Sequence, residues 1–540
     1  MKRNSVWRRA LALRTGRSPE GLRHVLSAVV LLLAASYPSA QSATVDAAFT
    51  KFWAAKNLGE AQQYVDAILK SGVTFEAAYG RLRKGRAYAP QATGQVRLSN
   101  RTADGVEHQF ALNIPDTYDP ARAYQVRFQL HGGVMMRSDG RVVGPGTVGA
   151  LTGVEQIYIV PYSWDAAPWW SDDQLLNLSA ILDAAKRTYN IDENRVVVSG
   201  VSDGGTGAYY VAMRETTPFA SFLPLNGFWM VLASDSLKID GPLYGNNLRN
   251  KPFFIVNGGR DQLYPTDLVD PHIEHFKKHG VSLVYEPQPE AGHNTQWWPQ
   301  VRDHFETFVK DHPRRPLPDT LTWETSDTAA HNRAHWLVID KLGAAADEAK
   351  QLDDLNEVPI SARPDFGLQS IGGRVVRVNP DSNAAKIGFK VGDALVRLNG
   401  ETVSISTDVL ETLSTVKPGS QIDVVVSRNN KPVELSGIYD PPIVSYPPRQ
   451  LFDRPVPSGR VDLARQGNTI RATTRGVSAF TLLLSPDQFD FSKPVTVVAN
   501  GRTVFSGRVQ KDLRTLVKWA AADNDRTMLF AAELRVELPR

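Results

Sequence analysis

The segment Arg195-Val-Val-Val-Ser-Gly-Val-Ser-Asp-Gly-Gly205 carries the most informative pattern in the chain. Its first five residues form a short apolar run that predicts a buried strand, and the residues from Gly204 to Arg214 predict a helix. Between them lies a Gly-x-Ser-x-Gly pattern, whose glycines let the backbone turn sharply and expose Ser202. The pattern alone is weakly specific, but its place between a strand and a helix makes Ser202 a candidate nucleophile.

The chain around this segment alternates between strands and helices, which is typical of a mostly parallel sheet covered on both faces. An antiparallel pair is expected to open it. The predicted strands are Arg97–Leu98, Gln109–Ile114, Tyr124–Leu130, Gln156–Val160, Arg195–Ser199, Phe219–Leu225, Pro252–Asn257 and Ser282–Tyr285. The predicted helices are Ser171–Tyr189, Gly204–Arg214, Asp267–His279 and Thr295–Asp311.

A serine nucleophile needs a general base and an acid that orients it. Asp261 directly follows a predicted strand, and His293 lies in a loop after the next one. With Ser202 they give the chain order Ser, Asp, His. Asp267 and Asp270 compete for the role of the acid, but they fall in a predicted helix. We therefore expect Asp261 to orient His293 and His293 to activate Ser202.

Donors for a developing oxyanion are predicted in the turn His131-Gly-Gly-Val134, which follows a predicted strand. We expect the backbone N–H of Gly133, or alternatively of Val134, to act with that of Asp203. His131 is expected to make structural hydrogen bonds. The side chain of Asp203 is expected to be solvated or to face the substrate.

Residues 95–316 resemble bacterial esterases of the polyhydroxybutyrate depolymerase and feruloyl esterase families, with a looser likeness to prolyl-oligopeptidase-type peptidases. The resemblance is carried by Leu130–Gly133, Gly200–Gly205, Gly259–Asp261 and Gly292–His293. It implies an α/β-hydrolase core and acyl transfer through an acyl-enzyme, without a cofactor or a metal.

Aromatic and histidine clusters allow two interpretations each. The pairs Trp169-Trp170 and Trp297-Trp298 either contact a flat or extended acyl group or pack helices onto the sheet. His272, His275 and His279 share one helix, where a polar face is a better explanation than a metal site. His331 and His335 have no specific role in this interpretation.

Composition and charge limit the remaining classes. The chain has 540 residues, so it must form several domains, and it contains no cysteine. Its net charge of +4 comes from a basic start: residues 1–40 carry +6, which leaves −2 for the rest. No nucleic-acid partner is therefore expected.

The basic start precedes a short apolar run, Val25–Ala35, and then small residues. This is the pattern of a secretory signal, and an uncleaved membrane anchor is the alternative. We expect residues 1–40 to be a signal peptide, the protein to be periplasmic or secreted, and the mature chain not to be inserted stably in a membrane.

Residues 360–437 resemble a bacterial, protease-associated PDZ domain through Gly373–Val378, Pro380–Phe389, Gly392-Asp393 and Leu398–Gly400. The resemblance implies capture of a peptide C-terminus by Phe366, Gly367 and Leu368. However, only three residues separate that loop from Gly372-Gly373, so the strand that would accept a peptide is unusually short. Docking or substrate gating is an equal alternative.

The other parts are expected to be structural. Residues 44–94 predict two or three short helices that pack against the next domain. Residues 317–358 predict two strands, Leu321–Thr325 and His335–Ile339, followed by a charged helix or linker at Gly343–Glu357. Residues 445–540 predict a β-rich domain such as a sandwich. We expect the strands of 317–358 to join this C-terminal sheet, so that the PDZ-like segment is inserted within that domain.

The sequence thus predicts an exported carboxylesterase acting on a small or polymeric ester. A serine peptidase that uses the PDZ-like segment for protein substrates is one alternative. A non-catalytic PDZ scaffold is the other.

Overall fold

The computed structural model describes residues 40–102, 105–137, 148–343, 354–358, 363–371, 373–403, 409–444 and 449–538. The predicted signal segment lies outside this part of the chain except for Ala40, as does most of the predicted helix or linker at Gly343–Glu357. No helix within the described residues is long and apolar enough to cross a membrane. The first helices are α1 Ala40–Ala54, α2 Leu58–Gln63, α3 Val65–Lys70 and α4 Phe75–Lys84.

A mixed sheet of eight strands follows, with helices on both faces. Its order is β1-β2-β4-β3-β5-β6-β7-β8. The strands β3 to β8 pair in parallel, and β2 runs antiparallel to both β1 and β4. This is the α/β-hydrolase fold predicted from the sequence. The elements are β1 Gly94–Arg101, β2 Glu107–Ile114, β3 Tyr124–Leu130, β4 Ile157–Pro161, α5 Asp172–Thr188, β5 Ile191–Val201, α6 Asp203–Arg214, β6 Ser221–Leu225, β7 Phe253–Ile255, α7 Thr266–Lys278, β8 Leu283–Tyr285 and α8 Trp298–Asp311.

The valine run of β5 shows why this segment forms a central strand. Val196 and Val198 pack into an apolar core on one face of the sheet. Val197 packs into the core on the other face, which also contains Phe305 of α8. Because successive side chains of a strand point to opposite faces, a run of three valines is buried only between two layers of helices. β5 ends at Val201, directly before Ser202.

The next three strands along the chain pair outside the eight-stranded sheet, and two of them pair with strands near the C-terminus. They are β9 Thr320–Thr325, β10 Arg333–Ala334 and β11 Leu337–Leu342. Two short antiparallel strand pairs, β12 with β21 and β13 with β20, then connect to the PDZ-like segment at its two ends. Within the segment the sheet order is β14-β15-β16-β18-β19. The elements are β12 Glu357–Val358, β13 Arg363–Pro364, β14 Leu368–Ile371, β15 Arg374–Val378, α9 Asn383–Ile387, β16 Ala394–Leu398, β17 Glu401–Thr402, α10 Val409–Ser414, β18 Ser420–Arg428, β19 Lys431–Tyr439, β20 Ile443–Val444 and β21 Arg449–Gln450.

The C-terminal domain consists of two sheets that share one apolar core. One sheet has the order β26-β25-β23-β22-β9 and the other β10-β11-β24-β27. The strands β9 and β11 therefore pair with C-terminal strands, as the insertion hypothesis requires. The elements are β22 Gly459–Gln466, β23 Thr469–Arg475, β24 Val477–Leu484, β25 Val495–Ala499, β26 Arg502–Gly507, α11 Leu513–Asp523 and β27 Ala532–Glu537.

The helix α11 corrects the expectation for the N-terminal helices. Leu516 and Val517 of α11 form one apolar core with Phe49, Phe52 and Ile68. The N-terminal region contains four helices rather than two or three, and its core is completed by the C-terminal domain. The β-rich domain thus draws on segments from both ends of the chain, and the hydrolase core is inserted between them.

Glu324 of β9 is a buried carboxylate at the junction of these parts. It accepts hydrogen bonds from Arg475 (2.9 Å) and Ser458 (2.8 Å), and it forms an ion pair with Arg454 (3.3 Å). It also accepts a longer hydrogen bond from Asn246 of the hydrolase domain (3.4 Å). Two arginines compensate the burial of one carboxylate, so the junction is held by charge as well as by packing.

Candidate active site

Ser202 occupies the sharp turn between β5 and α6. Its backbone has φ 56° and ψ −120°, a conformation that is costly for a residue with a side chain. The turn is held because the Ser202 N–H donates to the carbonyl of Leu225 (2.9 Å) and the Thr206 N–H to the carbonyl of Ser202 (2.9 Å). A methyl group on Gly200 would overlap the carbonyl group of Gly204. This glycine of the pattern is therefore required by a close backbone approach.

The structure brings Ser202, His293 and Asp261 into one hydrogen-bonded series. His293 Nε2 lies 2.8 Å from Ser202 Oγ, and its Nδ1 lies 2.7 Å from Asp261 Oδ2. Asp261 follows β7, and His293 lies in the loop between β8 and α8. The Asp261 side chain is fully buried, whereas that of His293 is 26% exposed. With a proton on Nδ1, the Nε2 lone pair faces the Ser202 hydroxyl.

The Asp261 carboxylate is fixed by the backbone as well as by His293. Its Oδ1 accepts hydrogen bonds from the N–H groups of Leu263 (2.8 Å) and Tyr264 (3.0 Å). Burial alone would raise the pKa of Asp261, but the hydrogen bonds from His293, Tyr264 and Leu263 outweigh it and lower the pKa. The carboxylate therefore stays ionised beside the imidazole.

The alternative acids lie elsewhere. Asp267 and Asp270 are on α7, and Asp270 accepts a hydrogen bond from the hydroxyl of Tyr285 (2.9 Å).

The turn after β3 lies against Ser202. A methyl group on Gly132 would come within 2.8 Å of Ser202 Cβ, and Gly133 has a positive φ of 68°. The N–H of Val134 donates to Asp203 Oδ2 at 2.7 Å. Val134 is thus the wrong alternative for an oxyanion donor, because its amide already has a carboxylate acceptor. The Asp203 side chain is partly exposed, so the expectation that it is solvated or faces the substrate stays a prediction, to which this hydrogen bond adds a contact within the protein.

His131 makes structural hydrogen bonds, as expected. Its Nδ1 contacts the Gly132 carbonyl oxygen (3.0 Å), and its Nε2 accepts from the Ser163 N–H (3.0 Å). Burial lowers the pKa of His131 to about 4, so the ring is neutral. The indole of Trp169 donates to the His131 carbonyl (2.8 Å). This end of the turn is therefore held firmly.

The tryptophan pairs pack into the protein. Trp169, Trp170, Trp297 and Trp298 are between 1% and 5% exposed. Trp170 donates to the Leu237 carbonyl (3.2 Å) and Trp298 to that of Thr152 (3.0 Å). The packing interpretation is correct, and the acyl-binding interpretation is wrong.

Two residues near the site were not identified from the sequence. The ring of Tyr264 lies edge-on to that of His293, with centroids 5.9 Å apart. Burial, and then the carboxylates of Asp203 and Asp261, raise the pKa of Tyr264 to about 12. Asn226 donates from its side chain to the Asn294 carbonyl (2.8 Å) and so fixes the loop of His293. Asn226 directly follows β6, and this position was the sequence signal that could have identified it.

The histidines of α7 are structural. His272 Nδ1 accepts from the Trp229 indole (3.1 Å), and His275 Nε2 contacts the Leu355 carbonyl oxygen (2.9 Å). Both side chains are buried, so they face a packed interface rather than solvent. Among the described residues there is no group of three or more His, Cys, Asp or Glu that could hold a metal ion. His331 Nε2 lies 3.4 Å from Asp172 Oδ1, and the His335 side chain is buried.

In the PDZ-like segment, the predicted carboxylate loop is engaged internally. The Gly367 N–H donates to Asp365 Oδ1 at 2.9 Å. Phe366 is buried against Phe389 and Tyr439. Leu368 begins β14, an edge strand of four residues whose pairing with β15 is irregular. The short strand is as predicted. The Gly367 amide already has an acceptor within the loop, and the assignment of Phe366, Gly367 and Leu368 to a peptide C-terminus stays a prediction.

Comparison with known proteins identifies the class of one segment. Residues 346–436 match the family model described as "PDZ domain". Over 69 residues the chain is 33% identical to the periplasmic pH-dependent serine endoprotease DegQ of Escherichia coli. The matched residues are 13% of this chain and 15% of that protein. The chain thus spans about 15% of the length of this curated relative.

Solved structures resemble another part of the chain at low identity. A thermostable esterase shares 18% identity with a TM-score of 0.33, covering 41% of this chain and 63% of its own. The Staphylococcus aureus fluorophosphonate-binding serine hydrolase FphF shares 15% with a TM-score of 0.32, covering 40% and 99%. These scores are low, so the α/β-hydrolase assignment comes from the strand order and the turn at Ser202.

Proposed function

We propose that the protein is a serine carboxylesterase in which Ser202, His293 and Asp261 form the catalytic triad. The single observation that supports this most strongly is the continuous series of hydrogen bonds from Ser202 Oγ through His293 to Asp261. A serine hydroxyl becomes an effective nucleophile only when a base accepts its proton. His293 is in hydrogen-bond contact with it, and Asp261 stabilises the imidazolium that results.

In the first half of the reaction, Ser202 Oγ attacks the ester carbonyl and its proton passes to His293 Nε2. The negative charge on the carbonyl oxygen is stabilised by the N–H groups of Gly133 and Asp203. The Asp203 amide is the first of α6, and amides in the first turn of a helix have no acceptor within the helix. His293 then protonates the leaving alcohol, which leaves an acyl-enzyme.

In the second half, His293 takes a proton from water, which attacks the acyl-enzyme. The tetrahedral intermediate collapses, the acid product leaves, and Ser202 recovers its proton. Met135, Met136 and Leu263 are exposed apolar side chains within three residues of Gly133 or Asp261 in the chain. An ester with an apolar acyl group suits these side chains.

A panel of p-nitrophenyl esters tested against aminoacyl p-nitroanilides separates the proposed esterase from a peptidase. We expect hydrolysis of the esters, its loss in Ser202→Ala, and little hydrolysis of the anilides. A preference for the anilides would favour a peptidase. An inert wild-type protein would favour a non-catalytic scaffold.

We also propose that the protein is exported, on the basis of the basic and apolar segment at its start. Fractionation of the source cells, with N-terminal sequencing of the protein recovered outside the cytoplasm, tests this. We expect a new N-terminus near residue 40, and a full-length cytoplasmic protein would contradict export.

A further inference from the structure

We propose that the Asp203 side chain is a positioning residue that holds the oxyanion turn 131–134 in register with the nucleophile turn. This inference rests on the proposed function and adds a role to a residue of which only the backbone N–H has been used so far. It comes from the hydrogen bond between the Val134 N–H and Asp203 Oδ2, which is 2.7 Å long and joins segments 69 residues apart.

The turn 131–134 needs a hydrogen bond of this kind because its two middle residues are glycines and have no side chains to pack. Gly132 and Gly133 lie between His131 and Val134, and Gly133 adopts a left-handed conformation. The His131 end is fixed by the Trp169 indole and the Ser163 amide. At the Val134 end, Asp203 supplies the acceptor. Val134 is itself buried in the apolar core, and it begins a short 3-10 turn in which Met135 and Met136 are exposed. The hydrogen bond to Asp203 therefore fixes the backbone amide of a residue whose side chain is already anchored.

Asp203 is well placed because it serves both sides of the site. Its N–H belongs to the turn at Ser202, and its carboxylate bonds the turn that carries Gly133. The separation of the two proposed oxyanion donors is thereby set through one residue. Since preorganised donors stabilise a transition state only when they are correctly spaced, a loosened turn should affect the transition state more than the bound substrate.

The carboxylate also has a local reason to be stable here. It lies at the N-terminus of α6, where the helix dipole favours negative charge. The hydrogen bond from the Val134 N–H is a further favourable contact for the carboxylate. The proposed role depends on the position of an acceptor oxygen and not on its charge.

Two substitutions separate geometry from charge. Asp203→Asn keeps an acceptor oxygen at the same place without the charge, whereas Asp203→Glu keeps the charge and moves the acceptor by one methylene group. We expect Asn to retain kcat within about 3-fold and Glu and Ala to lose about 10- to 100-fold, less than the loss of a whole donor. KM should change little. Asp267→Ala, an exposed carboxylate in the first turn of α7, is the matched control and should match the wild type.

A thionoester substrate provides a readout that a general loss of stability would not move. Its sulfur is larger and a poorer acceptor than oxygen, so an intact oxyanion site prefers the oxygen ester. We expect this preference to fall in Asp203→Ala and Asp203→Glu, in parallel with kcat, and to persist in Asp203→Asn. Thermal unfolding identifies any variant that has not folded, and the Asn and Glu pair then still decides the question.

Two results would overturn the proposal. One is an Asp203→Ala protein with wild-type kcat and an unchanged oxygen-to-sulfur preference. The other is a reversed order, with Glu active and Asn impaired mainly in KM, which would indicate a carboxylate that contacts the substrate. In both cases the wild type still hydrolyses esters, so the outcome is distinct from failure of the proposed function, in which the wild type and every variant are inert.

Discussion

The hydrolase core and the PDZ-like segment differ in how their predicted site residues are hydrogen-bonded. In the hydrolase core, side chains from three distant loops converge, and Ser202 remains in contact with a half-buried base. In the PDZ-like segment, the loop predicted to bind a carboxylate uses its own groups: Asp365 takes the Gly367 amide, and Phe366 is buried. One region thus brings its predicted site residues into mutual contact, whereas the other uses an amide of its predicted loop within the loop itself.

The difference shows that a motif defines a site only when its polar groups remain available. In the proposed function, the hydrogen bond between Ser202 and His293 joins a nucleophile to its base. A hydrogen bond that satisfies an amide internally, such as that of Gly367, competes with a ligand. Substitutions in each region test this difference.

The largest effect is expected at Asp261. In Asp261→Asn, the two backbone amides should keep the side-chain oxygen, so the NH₂ group would face His293 and favour the wrong tautomer. We expect kcat to fall about 10⁴-fold with little change in KM. Steady-state hydrolysis of a p-nitrophenyl ester measures this. Asp270→Asn, on α7, is the control, and an equal loss in both variants would remove the special role of Asp261.

A smaller effect is expected at Gly132. An alanine there would place its methyl group 2.8 Å from Ser202 Cβ and 3.0 Å from the Val201 carbonyl oxygen. Displacing the turn by a fraction of an ångström should reduce kcat by about 100-fold or less. Gly80→Ala provides the control, since nothing lies within 4 Å of a methyl group there. Wild-type kinetics for Gly132→Ala would mean that the turn is not part of the site.

The smallest effect is expected in the PDZ-like segment. Asp365→Ala releases the Gly367 amide, so a peptide with a free C-terminal carboxylate should bind about 3- to 10-fold more tightly, the value of one net hydrogen bond. Fluorescence anisotropy with a labelled peptide measures this, and the C-terminally amidated peptide is the control. Tight binding by the wild type, unchanged in Asp365→Ala, would show that the internal hydrogen bond does not compete. Ester hydrolysis should be unaffected.

The sequence was sufficient for the sheet and for the residues that converge in it. Buried strands and the turn at Ser202 are specified by local patterns, namely a valine run between two helix layers and glycines at a close approach. Asp261 and His293 could be placed because the carboxyl ends of parallel strands meet at one edge. The strands β9 and β11 could be assigned to the C-terminal sheet because they lacked partners nearby.

What the sequence could not provide depends on distant contacts. The burial of Trp169 and the bond of Asp203 to Val134 follow from three-dimensional packing rather than from local spacing. The core shared by the N-terminal helices and α11 joins residues more than 400 positions apart. The helix α11 did have a local signal, an Asp512 cap followed by Leu513, Leu516, Val517 and Ala520 at helical spacing, but the surrounding strands obscured it.

The most direct test of the account is to label the full chain with a fluorophosphonate probe and to map the modified peptide by mass spectrometry. We predict a single adduct on Ser202, its absence in Ser202→Ala, and normal labelling in Ser199→Ala, which removes a buried hydroxyl from β5 three residues before Ser202. Labelling that persists in Ser202→Ala, or an unlabelled wild-type protein, would contradict the assignment of Ser202 as the nucleophile.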